Sequence, residues 1–397
     1  MKAGRAFIII LALAVPGVTG RGTVHASGGQ FAPFTAWTRQ AELNDPPPQS
    51  FDFFAYSVAL SGNTALVGAP LRDNGPGTAY VFVRRGTVWT QQAELTVSDG
   101  SGCFGNSVAL FGDSAVIGAP CGNNGGAAYV FIRNGTVWTQ QAELRDPTPA
   151  ASNDSFGISV ALSGDTALVG AIGRNNYAGA AYIFVRQGGV WSQQAELDDP
   201  APAVSGDSFG WSVALDRGTA LVGAPFKNQF SGQAYVFVRS GTVWGLQATL
   251  SGAPSNLGWS VALSGDTALA GAISYNVGGA VYMFTRSGAR WTQQAVLTAS
   301  DGAPGDTFGW FEALSGNTML IGAPGRNDTG TSVAAGAAYV LVRSGASWTQ
   351  QAELDDPTPV AAYDGMGNSG ALDGDTALVG AYCRNNCAGA AYVLVHS

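Results

Sequence analysis

Few side chains in this sequence have the types and spacing that catalysis usually needs. There are two histidines, His25 and His396. His25 falls in a segment that reads as a leader, and His396 stands next to the last residue. A mature chain therefore lacks the parts for a Ser-His-Asp or Cys-His arrangement, or for the usual His-based metal centre. The four cysteines, Cys103, Cys121, Cys383 and Cys387, are even in number, and pairing would withdraw them from nucleophilic chemistry. Asp and Glu total 27, so a glycosidase-type carboxylate pair is available by residue type. Glu42, Glu94, Glu143, Glu196 and Glu353, however, recur at one place in a repeated phrase, which assigns them to solvating an exposed strand edge. No carboxylate is read as breaking the repeat, and the expectation is of a protein that is not an enzyme.

The elements that must position any functional side chain are set by that repeat. A phrase of the form WTQQAEL begins at Trp37, Trp89, Trp138, Trp191, Trp244, Trp291 and Trp348. A second phrase closes in Gly-Ala at Gly68, Gly118, Gly170, Gly223, Gly271, Gly322 and Gly380, so each phrase occurs seven times. Each unit holds four short strand-like segments rich in Val, Tyr, Phe and Trp, and a tight Ser-Gly-Asp-Thr or Ser-Gly-Asn-Thr turn joins the first two. This predicts an all-β fold, a seven-bladed β-propeller of four-stranded antiparallel blades. The first WTRQAEL has no unit before it and the last unit has no fourth segment. The N-terminal strand is therefore expected to complete the last blade. A linear solenoid would not need this matching defect. The organisation reads as a signal peptide over 1–26, a short segment over 27–36 and the propeller over 37–397.

The Phe-Gly openings (Phe104-Gly105, Phe156-Gly157, Phe209-Gly210, Phe308-Gly309) and the Gly-Ala-Pro closings at Gly68, Gly118, Gly223 and Gly322 resemble the FG-GAP repeat of the integrin α-chain propeller. The match is nearest to bacterial-type FG-GAP proteins and covers about nine tenths of the chain. The resemblance implies a recognition platform. It also implies a calcium loop of Asp-x-Asp-x-Asp-Gly form between the first two strands, but here that position holds only turns such as Ser163-Gly164-Asp165. A two-residue turn cannot supply the six to eight oxygens of a Ca²⁺ site, so no cofactor is expected. Weak calcium binding by Asp198, Asp199 and Asp207 stays open.

Folding each first hairpin about its glycine turn places upper-face residues opposite each other. Cys103 then faces Cys121, which predicts a cross-strand disulfide. Cys383 faces Gly365, so Cys387 is its expected partner, with a four-cysteine zinc site joining blades two and seven as the alternative. The same construction pairs Asp52 with Arg72, Asp154 with Arg174, Asp207 with Lys227, Asp306 with Arg326 and Asp364 with Arg384. These read as structural salt bridges rather than as a basic ring for an anion. The residue after Phe-Gly, or its equivalent, is Tyr56, Asn106, Ile158, Trp211, Trp259, Trp310 and Asn368. Three successive units thus carry Trp, and Phe226 and Tyr275 add aromatics above two of them. Two readings stand: the rings wedge between blades, or they form a ligand-binding patch.

The formal charge is −8, and loss of Lys2, Arg5 and Arg21 with the leader would make it −11, leaving Lys227 as the one lysine. That balance speaks against nucleic acid or an anionic membrane as partner. The leader has Lys2 and Arg5 ahead of an apolar run from Ala6 to Val15, and Val24-His25-Ala26 resembles a cleavage site. The apolar run is too short to span a bilayer, so no membrane insertion is expected after cleavage. The expectation is a monomeric protein that is secreted, periplasmic or held at the cell surface. It would bind an extracellular or cell-surface protein or a glycan, in adhesion or as a lectin-like module.

Overall fold

The computed structural model describes residues 36–397 apart from 46, 73–74, 100–101, 123–124, 147–152, 201–202, 275, 328–334, 346 and 357–363. The leader expected over 1–26, and Tyr275, lie outside the described residues. Seven four-stranded antiparallel sheets form a ring. The first blade comprises Ser57–Ser61, Thr64–Ala69, Thr78–Arg85 and Val88–Leu95, counted from the axis outward. Five further blades follow the same order over 107–144, 156–198, 212–250, 257–297 and 312–355. The seventh takes Met366–Asp373, Thr376–Ala381 and Ala390–His396 from the end of the chain and Trp37–Leu43 from its start. The register of that closing pair runs from Trp37↔His396 to Leu43↔Ala391, as the unmatched end segments require.

The two halves of the repeat phrase interlock between blades. Phe104 is fully buried against Tyr129, with ring centroids 5.6 Å apart. The carbonyl of Gly105 lies directly against Gly68 of the blade before, where a β-carbon would come within 2.0 Å of that oxygen. Gly105 itself has φ +92°, which favours glycine. The Phe-Gly of one unit therefore needs the Gly-Ala of its neighbour, and a single unit cannot satisfy both.

Three rings of hydrogen bonds stitch the seams. On the outer strands, six indoles donate to a glutamine of the preceding blade, from Trp37 to Gln351 at 3.0 Å round to Trp291 to Gln247 at 2.8 Å. On the innermost strands, Ser57, Ser107, Ser159, Ser212, Ser260 and Ser369 each donate to a carbonyl of the next blade at 2.7–2.8 Å. On the lower face, backbone N–H groups of Gly62, Gly112, Arg217, Gly265 and Gly374 donate to an Asp or Ser in the turn of the blade before. The repeated Trp and Gln of WTQQAEL and the repeated Ser of SVAL are thus contacts between units.

The disulfides join Cys103 to Cys121 and Cys383 to Cys387, with Cα separations of 5.5 and 3.3 Å. No described cysteine is free, so the zinc alternative falls. Among the described residues no group of His, Cys, Asp and Glu could hold a metal ion, and no helix is long and apolar enough to cross a membrane.

Candidate functional site

The upper-face basic residues lie in buried or half-buried clusters that reach beyond the pairs expected by folding each hairpin on itself. Arg72 pairs with Asp52 at 2.9 Å and Lys227 with Asp207 at 2.8 Å, as expected. Arg174 instead lies 3.3 Å from Asp146 and 3.6 Å from Glu196. Arg326 pairs with Asp301 and, at 3.2 Å, with Glu353, while Asp306 accepts the Ala303 N–H at 2.7 Å. Arg384 lies 2.8 Å from Asp356. The common partner is an Asp carried by the connector from the preceding blade: Asp45, Asp146, Asp199, Asp301 and Asp356. In blades three, six and seven the cluster also takes in the buried tyrosine of the third strand, Tyr182, Tyr339 and Tyr392. In blade three Tyr182 donates to Asp146 at 2.7 Å and receives Arg174 Nε at 3.0 Å. Burial, with Asp146 beside it, drives the Tyr182 phenol above its ordinary range. Glu196 and Glu353 also meet these tyrosines, at 3.0 and 3.2 Å, so they tie the clusters together as well as solvating an edge.

Lys227, 3% exposed, sits between Asp199 at 2.6 Å and Asp207 at 2.8 Å. Burial alone would lower its pKa, but the two carboxylates outweigh this and raise it, which keeps the ammonium charged. Lys227→Met strands both carboxylates in the interior, and a urea titration should read a loss of about 3–5 kcal/mol. These cations are engaged within the protein, which leaves the aromatics as the candidate site.

Trp211, Trp259 and Trp310 form a ladder across blades four to six, with centroids 4.9 and 5.0 Å apart and planes tilted by 48° and 51°. All three are half-buried: the rings pack on one another across the seams and still present surface. Phe226 meets the Trp211 ring edge-on at 5.4 Å and continues to Phe230, which is 62% exposed. Phe230 has φ +69° at the end of a left-handed turn, Lys227–Phe230. Tyr177 ends the same kind of turn in blade three, with φ +66° and 46% exposure. Strain at such backbone costs on the order of 1–3 kcal/mol per residue, so the fold holds these rings outward against a local preference.

Around the rest of the mouth the ring position is Tyr56, which meets Tyr382 edge-on at 5.9 Å, or a smaller residue. Asn106 bridges to the Ile158 carbonyl at 3.2 Å, and Asn368 to that of Tyr56 at 3.1 Å. A cleft of about 340 Å³ lies beside the Asn106–Ile158 pair, lined also by Asn153, Ser155, Tyr177 and the Cys121 disulfide.

One residue of the mouth escaped sequence reasoning. Blade six reads Trp310-Phe311-Glu312-Ala313 where the first five blades carry Ser-Val-Ala after the ring position, so Glu312 is a carboxylate that breaks the repeat after all. It replaces the valine of Val58, Val108, Val160, Val213 and Val261. It is 8% exposed and neither oxygen receives a hydrogen bond, since the neighbouring Ser260 hydroxyl donates to the Gly309 carbonyl; burial pushes its pKa up to about 8, with Ser260 acting in the lowering direction. Aligning FEALSG with SVALSG would have found it.

These features define a propeller built from interlocking Phe-Gly and Gly-Ala phrases, with a tryptophan ladder on its upper mouth at blades four to six and a smaller aromatic cluster of Phe53, Tyr56 and Tyr382 where blades seven and one meet. Residues 37–82, 89–131, 138–184, 191–237, 291–341 and 348–394 match the FG-GAP repeat, most of the chain, and the chain belongs to that family. The matched stretches pass over 238–290, where blade five carries Leu257 for Phe, and Ser255 in the loop that elsewhere bears Asp. No curated protein matches the sequence.

Proposed function

We propose that the protein is an exported, non-enzymatic recognition module that binds a protein partner through the upper mouth of blades four to six. An FG-GAP propeller supports a binding role, and the observation that carries the location is the half-exposed ladder Trp211, Trp259 and Trp310 extended by Phe226 and Phe230. Large rigid aromatics offer contact area at low entropic cost and dominate binding surfaces for that reason. The cations of the same face are held by Asp and Glu, so recognition there is apolar in character. Two disulfides fit an oxidising compartment. The half-exposed indoles also suit stacking on a sugar ring, which is the second reading.

The test compares immobilised parent protein with Phe230→Ser and with Trp211→Ala/Trp259→Ala/Trp310→Ala, all checked for folding by circular dichroism. The expected result is a protein retained at stoichiometric level by the parent and weakened roughly tenfold or more by Phe230→Ser, whose exposed ring is dispensable for folding. Retention unchanged in both variants overturns the location. Binding on a glycan array that the variants abolish would move the assignment to the lectin reading.

A further inference from the structure

The seam between blades five and six is the least stitched of the ring. It keeps the inner bond from Ser260 to the Gly309 carbonyl at 2.7 Å. The outer indole–glutamine bond is missing among the described residues: Gln294 turns back to Thr292 at 3.4 Å and the Trp348 indole does not reach it, the outer contact being the Ser300 N–H donated to Gln350 at 3.0 Å. The lower-face bond is also missing there, since Ser264 and Gly316 make no counterpart of the contact between Asp216 and Gly265. Arg286 crosses its seam to Thr219 at 3.2 Å, whereas Arg343 turns to its own blade, to the Gly345 carbonyl at 3.0 Å.

This is also the seam that holds Glu312. A β-carbon at Gly271 of blade five would lie 2.2 Å from Ser260 Oγ and 2.5 Å from Glu312 Oε1, so the carboxyl fills the space between the two inner strands. Among the described residues nothing that titrates faces it. Leu257–Ser264 and Thr267–Ala272 of blade five carry no ionisable side chain, nor does Thr318–Ala323 of its own blade. The nearest acids along the inner strands, Asp216 and Asp373, sit in the lower turns of other blades and accept backbone N–H groups at 2.6 Å. A carboxylate in that seam has no cation to meet and can be solvated only by letting water between the blades.

We infer that Glu312 makes this seam a proton-controlled gate of the binding mouth, closed when its carboxyl is protonated and parting when it ionises. The inference rests on the aromatic mouth being the recognition site, because Trp259 and Trp310 face each other across this seam at 5.0 Å. Parting the seam breaks the ladder in two, so affinity should fall as pH rises through the neutral range.

Hydrogen exchange, corrected for the intrinsic effect of pH, tests the gate without any ligand. Opening measured at 257–272 and 312–323 should rise about tenfold for each pH unit between 6 and 8, while the equivalent strands of blades three and four stay level. Indole fluorescence should change over the same interval. Glu312→Gln, which keeps the shape and cannot ionise, and Glu312→Val, which carries the side chain of the other blades, should both remove the change. An equal rise in either variant, or no local rise in the parent, overturns the gate. Loss of Phe230-dependent binding with the exchange pattern intact would instead count against the recognition site alone.

Discussion

Glu312→Val should stabilise the protein by roughly 2–4 kcal/mol at pH 7 and by more at pH 9, with a flatter pH dependence. The sign follows from the direction of the shift. Burial raises the Glu312 pKa from 4.5 to about 8, so between those values the folded chain holds a proton that the unfolded chain has released. Stability therefore falls as pH rises through that window and levels off above it. At 1.36 kcal/mol per unit the loss amounts to about 5 kcal/mol. Asp45, pushed up to about 6 by burial, contributes a decline of the same sign that ends lower on the scale. Urea titrations of both proteins at several pH values from 5 to 9 separate the two. Parallel curves for parent and variant would mean that Glu312 does not titrate in the folded state.

The second large effect concerns the next seam, where Phe311 stands in place of the inner serine. Its ring lies over Gly370 of blade seven, which stands where the first five blades have valine. A β-carbon at Gly370 would fall 2.2 Å from the Phe311 Cε2 and Cζ atoms. Gly370→Val alone should therefore cost about 3 kcal/mol or more through overpacking. Phe311→Ser alone leaves a phenyl-sized void, a cost of about 3–5 kcal/mol. The double variant restores the arrangement of the other seams and should recover most of both losses. A thermodynamic cycle would then show coupling of several kcal/mol, and simple additivity would exclude the pairing.

The ring and its closure were legible because each repeated residue meets its counterpart in the next unit: counting Trp37 to Trp348 and Gly68 to Gly380 counts blades. The Cys103–Cys121 pair was legible because a hairpin folds on itself, and its register follows from the position of Gly112. The same construction missed the ion-pair partners of Arg174 and Arg326, and the Asp356 partner of Arg384. Hairpin folding sees only partners within one blade, whereas Asp146, Asp301 and Asp356 arrive on the connector from the blade before. The Asp two residues past Leu in AELxDP, repeated at Asp45, Asp146, Asp199 and Asp356, carried the signal. Glu312 was masked by Trp310: attention to aromatic breaks of the repeat passed over an acid two residues later. The partial exposure of the three indoles depends on side-chain packing across seams, which no spacing in the sequence encodes.

The closing pair of strands has a mechanical meaning. Trp37 begins the outer strand of the last blade and His396 ends the strand beside it, and the two are direct cross-strand neighbours. The outer ends of these two strands thus lie at the same corner of the sheet. Tension between them would load the hydrogen bonds of this pair one at a time from Trp37↔His396 toward Leu43↔Ala391, peeling rather than shearing. A tether at one end alone leaves the clasp unloaded, so the ring can hang from a single attachment under force and still yield readily to a pull that separates its two ends.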